Sequence, residues 1–188
     1  MPFLSKIFST RLVIIVVLFC FQTFNSSAQV NPTESDSATT NKRLNKVLIG
    51  GSVVYVASMA GFYELWYKEF ETTTFHSFND NSEWLQMDKI GHVGTSYQLS
   101  KWGQRVFIWT GLPDRKAAWY GAGVSTLFQT SIEVFDGFSS EWGLSFGDVI
   151  SNTAGTGLFL GQELIWEEQR MTFKYSYHNT KYPKYRPS

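Results

Sequence analysis

The chain has 188 residues and no net formal charge, because its 16 basic side chains balance 16 acidic ones. A neutral chain lacks the basic surface that nucleic acids require, so we expect no nucleic-acid partner. Charged residues form only 17% of the chain, against roughly 25% in ordinary soluble domains, and aromatic residues also form 17%. This composition favours contact with a membrane surface, or a core rich in aromatic rings.

The first 28 residues have the three parts of a secretory signal peptide. Lys6 and Arg11 supply a positive segment, residues 12–21 are apolar, and residues 26–28 form a small-residue cleavage site. We therefore predict export, with cleavage at the end of this segment. An uncleaved anchor helix is the alternative, but the apolar run is short for one.

Cys20 is the only cysteine, and it lies inside the predicted signal peptide. Lipoprotein processing requires a small residue directly before the acylated cysteine, whereas this chain has Phe19. We therefore expect no lipid anchor, and a mature chain without disulfides, thiolate metal sites or cysteine nucleophiles. The remaining 160 residues (188 − 28) are enough for one domain with its own core.

The segment after the signal peptide changes from polar to apolar. Residues 29–43 are rich in Ser and Thr and are predicted to be a disordered linker. Residues 47–63 are apolar and uncharged, and as a helix they would span about 26 Å, slightly less than a bilayer core. Two alternatives stay open for them, a membrane helix or a fully buried central helix. Residues 70–87 are predicted to be a loop, in which His76 is a loop histidine rather than a ligand.

Further helices are predicted in the remainder of the helical domain, residues 44–170. Their expected bounds are Asp88 to about Gly111, Arg115 to Phe135, and Ser145 to about Arg170. Asp114 should cap the middle one of these, and Gly137 should follow its end. Small residues recur every four positions in the last one, which favours close approach of another helix. The basic, Tyr-rich tail, residues 171–188, is interpreted as solvated, with a lipid surface as the alternative.

These patterns predict an all-α fold. We expect a small bundle of about four core helices, either membrane-embedded or membrane-associated, behind a cleaved signal peptide.

The chemistry of the chain is concentrated in polar residues that are one helical turn apart. Three predicted helices each carry such a pair, and residues four apart lie side by side on a helix. Because the chain reverses between successive helices, we expect these side chains to meet in one layer of the bundle. The candidate cluster consists of Asp88, Lys89, His92, Gln129, Glu133, Asp136, Asp148 and Asn152.

Ordinary structural roles compete with this interpretation at three positions. Asp148 fits a capping box that begins at Ser145, and Asp88 is an acid in the first turn of its helix. His92 is flanked by apolar residues and can also be a histidine buried for packing.

Glu133 and Asp136 have no such structural role. An acid in the last turn of a helix is disfavoured by about 0.3–1 kcal/mol, so a cation is expected beside them. Lys89, His92 or a metal ion could supply it. The metal candidates are therefore His92, Glu133 and Asp136, although no spacing of a known metal family is present and no cofactor is assigned.

The polar residues also resemble those of a known family. Their order is Asp88-Lys89-x-x-His92, then Glu133-x-x-Asp136, then Trp142-Gly143-x-Ser145-x-x-Asp148-x-x-x-Asn152-x-x-Gly155. This order resembles the YfiM-type family of predicted periplasmic lipoproteins over about residues 85–166, and more distantly the VanZ-like membrane proteins, which are linked to glycopeptide-antibiotic tolerance. The resemblance implies an envelope location and the matched polar residues, but no reaction. The chain departs from the family in lacking a convincing lipobox and in carrying the apolar segment 47–63, which could replace the lipid as anchor.

Three functions remain open. The favoured one is a non-enzymatic bacterial-type envelope protein whose cluster is structural or binds a lipid head group, with an envelope lipid or membrane surface as partner. The alternative is an envelope hydrolase or transferase acting on a lipid-linked or cell-wall substrate. In it, Glu133 or Asp136 would be the general base and His92 the acid or metal ligand. The third is a soluble periplasmic binding module.

Overall fold

The structure is a computed structural model that describes residues 37–81 and 84–174, most of which are helical. The described residues form four α-helices, α1 (Ser37–Phe62), α2 (Met87–Trp109), α3 (Asp114–Phe138) and α4 (Phe146–Trp166). A π-helical turn (Tyr63–Tyr67) continues α1, and a 3₁₀ turn (Trp84–Gln86) precedes α2. The described residues contain isolated bridges but no β-strand, which confirms the all-α prediction. The predicted signal peptide, residues 29–36 of the predicted linker and residues 175–188 of the tail lie outside the described residues.

Helices α2, α3 and α4 pack into a bundle in which glycines bring the backbones together. Gly121 of α3 lies against the backbone of α2, and Gly155 of α4 lies against the Val93 carbonyl of α2. A Cβ atom at either glycine would collide with backbone, which cannot move aside as a side chain can. The predicted close approach is therefore confirmed at Gly155, whereas Gly157 and Gly161 on the same helix face open space.

The apolar core of the bundle is small. The rings of Tyr97 and Phe159 meet edge to face at 6.3 Å beside Ala118, and all three side chains are fully buried. Beyond the end of α4 the chain returns, and the Phe173 ring lies against Gly94 of α2. The core is thus closed by the segment that follows the last helix.

The ends of α3 differ from the predicted ones. Asp114 is the first residue of the helix rather than its cap, because Pro113 occupies the cap position and forms no side-chain cap bond. At the other end, Gly137 lies inside the helix, where its missing side chain makes room for the ring of Phe75. Helix α4 begins directly after Ser145, as predicted, and ends four residues earlier than predicted.

Helix α1 includes the apolar run but is not a core helix. It begins at Ser37, so residues 37–43 of the predicted linker are helical. Its apolar side chains are largely exposed, as at Ile49 and Val53. Met59 is the one buried residue of α1. The alternative of a fully buried central helix is therefore wrong. By length and composition, Ser37–Tyr67 is the one described helix that could cross a membrane.

The two long loops at one end of the bundle pack against each other. Isolated bridges join Thr72 to Ser139 and Ser77 to Leu144. His76 contacts neighbouring loop residues and not the predicted cluster, in line with its interpretation as a loop histidine. This loop packing carries Asp80 to the start of α4, where the Ser145 hydroxyl donates to its carboxylate at 2.7 Å.

Candidate functional site

The predicted polar residues meet where α2 and α4 begin and α3 ends. Residues that are far apart in the sequence touch here through hydrogen bonds and ion pairs, and most of them are buried. We call this set the charged layer. It consists of Asp80, Asp88, Lys89, His92, Ser96, Gln129, Glu133, Asp136, Ser145, Asp148 and Asn152.

Asn152 links all three helices of the bundle. Its Oδ1 accepts hydrogen bonds from Gln129 Nε2 at 2.7 Å, His92 Nδ1 at 3.0 Å and Ser96 Oγ at 3.1 Å. Its Nδ2 donates to Glu133 Oε1 at 3.1 Å. Because Gln129 Nε2 and Ser96 Oγ donate on one side of the amide and a carboxylate accepts on the other, the orientation of the amide is determined without reference to His92.

Lys89 is almost completely buried, with 8% of its surface exposed, and is surrounded by carboxylates. Its ammonium group lies 2.7 Å from Asp80, 2.7 Å from Asp148 and 3.1 Å from Asp88. Burial alone would lower the pKa of Lys89, but hydrogen bonds to these carboxylates outweigh it and raise the pKa above its usual value. Lys89 therefore stays charged and is the internal cation of the layer.

Asp148 combines a capping position with a role in the layer. The Ser145 hydroxyl accepts a hydrogen bond from the Asp148 backbone amide at 3.1 Å, which is the predicted cap of α4. The Asp148 carboxylate points instead to Lys89, and burial raises its pKa. The structural and functional interpretations of this residue are therefore compatible.

His92 lies between acids at the partly open edge of the layer. Its Nε2 is 3.5 Å from Asp88 Oδ1 and 3.7 Å from Asp148 Oδ1, and its Nδ1 is 3.7 Å from Glu133 Oε1. These separations exceed those of ordinary N–H···O hydrogen bonds. Side-chain exposure is 18% at His92 and 44% at Asp88, so this edge is the part of the layer that solvent reaches.

Glu133 and Asp136 have acidities that differ from those of exposed carboxyls. The pKa of Glu133 is raised to about 7, mainly by burial and also by the nearby Asp148 and Asp136 carboxylates, while His92 opposes the rise. Burial also raises the pKa of Asp136 to about 6, although the Tyr67 hydroxyl donates to its carboxylate at 2.6 Å. Both groups can therefore gain or lose a proton near neutral pH.

The predicted metal ligands, His92, Glu133 and Asp136, are not the residues that the structure arranges most like a metal site. Ligand atoms of Asp88, His92 and Asp148 all lie within 4.8 Å of one another. Asp136 instead accepts a hydrogen bond from Tyr67. The His92 nitrogen nearest Glu133 is Nδ1, which is hydrogen-bonded to Asn152. The predicted set shares only His92 with this group.

Four residues in or beside the layer were not predicted to be site residues. Ser96 follows His92 by one helical turn, so the spacing argument could have found it. Asp80 was assigned to a turn and Ser145 to a cap. No pattern linked Tyr67, at the end of the apolar run, to Asp136.

Comparison with known families supports the envelope assignment. Residues 76–160 match a family model described as "Predicted periplasmic lipoprotein (DUF2279)". The chain is an exported protein of the cell envelope, periplasmic or membrane-associated. The match covers less than half of the 188 residues and leaves out Cys20, so it carries no statement about acylation of this chain. It does not confirm the narrower YfiM-type assignment or the similarity to VanZ-like proteins. No curated protein and no solved structure matches the chain.

Proposed function

We propose that this protein is a non-enzymatic, membrane-attached envelope protein whose charged layer binds the head group of an envelope lipid. The observation that carries the proposal is that the charged layer is joined to the end of an exposed apolar helix.

The exposed surface of α1 supports attachment to a membrane. Ile49 and Val56 are 69% and 63% exposed. Proteins that stay in water rarely expose continuous apolar surface of this kind, because each Å² costs about 25 cal/mol. The part of this helix that follows Lys46, together with the turn that ends at Tyr67, spans about 30 Å, which matches the bilayer core. A bilayer is therefore the environment that suits this helix.

The junction between α1 and the bundle has the composition of a membrane–water boundary. Trp142 packs against Phe70, Tyr67 and Trp66, with ring centroids 4.7, 5.5 and 6.3 Å apart. Trp and Tyr favour the head-group region of a bilayer. Tyr67 also donates to Asp136, so a bilayer that ends at this aromatic group would bring its head groups to the charged layer.

The charge of the layer indicates what it would attract. Its five carboxylates face only two basic side chains, Lys89 and His92. Bare phosphate would be repelled by this surplus. Contact with a head group therefore needs a cation at the Asp88 edge, either the ammonium of the head group itself or a divalent ion that bridges to its phosphate.

Two measurements test the proposal. The full chain should resist carbonate extraction from membranes, whereas a variant with Ile49→Lys and Val53→Lys should be released. In detergent, Asp88→Asn should weaken binding of phosphatidylethanolamine by about fivefold or more, with exposed Glu141→Gln as the matched control. Equal binding by both variants and the unaltered chain would contradict head-group recognition. Repeating the measurement with chelator, and with phosphatidylglycerol, separates an ammonium contact from a bridging ion.

An envelope hydrolase or transferase is the second candidate, because a carboxyl with a pKa of about 7 suits a general base. Its weakness is access, since Glu133 is only 3% exposed and its Oε1 already accepts from Asn152. Glu133→Gln distinguishes the two. Loss of function with an unchanged melting temperature supports an enzyme, whereas a large loss of stability supports a structural or binding layer.

A further inference from the structure

The protonation of His92 can be deduced from its neighbours. The orientation of the Asn152 amide places an oxygen, which only accepts, 3.0 Å from His92 Nδ1. Nδ1 must therefore carry a hydrogen. In the neutral imidazole the lone pair is then on Nε2, and this is the arrangement that a second partner imposes on metal-binding histidines.

In this neutral form, the Nε2 lone pair of His92 faces two carboxylate oxygens. Nε2 is 3.5 Å from Asp88 Oδ1 and 3.7 Å from Asp148 Oδ1. Lys89 contacts the other oxygen of Asp88, Oδ2, and so leaves Oδ1 facing the imidazole. With His92 neutral, these three atoms all present electron pairs and repel one another, and either a proton on Nε2 or a metal ion between the three atoms removes the repulsion.

The buried carboxylate at this position shares its closest cation with other acids. Asp148 is 6% exposed, and its Oδ1 lies 2.7 Å from the Lys89 ammonium. The same ammonium also lies 2.7 Å from Asp80 and 3.1 Å from Asp88. One ammonium cannot neutralise three carboxylates, so the charge at this position favours a further cation.

We propose that Asp88, His92 and Asp148 bind one divalent transition-metal ion, for which zinc is the best fit. Ligand atoms about 2.0–2.2 Å from a tetrahedral zinc ion lie roughly 3.3–3.6 Å from one another. The two separations from His92 Nε2, 3.5 and 3.7 Å, are close to this, and all three ligand atoms lie within 4.8 Å of one another, so the carboxylates would draw together on binding. One nitrogen and two carboxylate oxygens form a donor set that zinc accepts. Three protein ligands leave a fourth position, which opens toward solvent beside the partly exposed Asp88.

The surroundings of the three ligands are those of a supported metal site. Asn152 orients His92, while Lys89 binds both carboxylates and offsets one of their two negative charges. With a divalent ion bound, its two positive charges and that of Lys89 offset the three negative charges of Asp80, Asp88 and Asp148, so the open position would no longer repel an anionic oxygen. The site goes beyond the lipid-binding proposal and depends only on the geometry of the layer, because the ion would bind whether or not a lipid follows.

The test is zinc binding by the full chain, purified in detergent and stripped with a chelator, without added lipid. We expect about one zinc ion per chain by titration calorimetry and elemental analysis. His92→Ala should weaken binding by at least about tenfold, while the loop variant His76→Ala should bind like the unaltered chain. Zinc binding well below one per chain, or equal loss in both histidine variants, would overturn the proposal.

Asp88→Asn provides a second variant that keeps the shape of the layer. Because this side chain is 44% exposed, we expect the helical circular dichroism to be retained while zinc binding weakens by about tenfold. Zinc binding unchanged in a folded Asp88→Asn chain would also overturn the site. If zinc binds but head-group affinity does not depend on it, the metal site stands and only the bridging form of the lipid-binding proposal fails.

Discussion

The bundle holds two buried polar networks that differ in how completely their atoms are paired. In the network at the end of α4, Gln162 donates to Gln169, and Gln169 donates in turn to Glu163. The second oxygen of Glu163 accepts from Gln104, so both carboxylate oxygens have partners. In the charged layer, by contrast, Glu133 Oε2 has no hydrogen-bond partner within residues 37–81 and 84–174.

This difference distinguishes a network that holds helices together from one that can bind something. Amide groups that satisfy one another add specificity to a core and gain nothing from a further ligand. Like charges held close together, with unpaired oxygens, cost stability and are retained mainly where they serve function. The network of Gln104, Gln162, Glu163 and Gln169, called the amide network below, is therefore the internal control for experiments on the charged layer.

The largest effect should follow removal of the internal cation. Lys89→Met leaves three carboxylates without their ammonium partner, and we expect a loss of about 3–5 kcal/mol in the free energy of unfolding at pH 7. Denaturant unfolding in detergent measures it. The control is Lys68→Met, which removes an exposed ion pair with Glu64 and should change nothing measurable. A loss below about 1 kcal/mol would mean that the layer is more hydrated than its burial indicates.

Breaking the amide network should cost less and leave ligand binding unaffected. Gln162→Ala removes an acceptor for the Met171 amide and a donor to Gln169, which should cost about 2 kcal/mol. We expect zinc and lipid binding to be unchanged when they are measured below the unfolding temperature. Loss of binding in this variant would show that the two networks are coupled and would remove the contrast between them.

The helical part of the charged layer could be predicted because it depends on local spacing. Pairs such as Asp148 and Asn152 share a face of one helix, and alternating chain direction brings such faces to one end of a bundle. A cation was expected beside both Glu133 and Asp136. A basic side chain, His92, does lie near Glu133, whereas Asp136 accepts a hydrogen bond from the neutral hydroxyl of Tyr67 instead.

The contacts made by loops could not be predicted in the same way. Asp80 reaches Ser145 across 65 residues of sequence because two loops pack together, and no periodicity encodes such packing. The position of α1 was equally open, because an apolar run has the same composition whether it is buried in protein or in lipid. Its exposure is a property of the assembled bundle, which offers it little surface to pack on.

The acidity of Asp136 should make stability depend on pH. Its pKa rises from 3.8 to about 6 on folding, so between these values the folded chain binds more protons than the unfolded chain. The contribution of this group is therefore greatest below pH 4 and is lost as pH rises to about 6, by about 1–2 kcal/mol. Asp136→Asn should remove this part of the slope, whereas Glu141→Gln in an exposed loop should keep it. Parallel slopes for Asp136→Asn and the unaltered chain, in unfolding measured from pH 4 to 7, would contradict a raised pKa.

The smallest effect on stability should come from the residue with the greatest expected effect on binding. Asp88 is partly exposed, and Lys89 keeps its two closer carboxylates without it, so Asp88→Asn should change the free energy of unfolding by no more than about 0.5 kcal/mol. The same change removes a charge from the open edge, where an incoming cation would bind. Thermal unfolding with and without zinc separates the two roles, because a bound ion stabilises the folded chain in proportion to its affinity. We expect zinc to raise the melting temperature of the unaltered chain and of Gln162→Ala equally, and to raise that of Asp88→Asn by clearly less. If zinc stabilised all three chains equally, the charged layer would differ from the amide network in charge alone and not in what it binds.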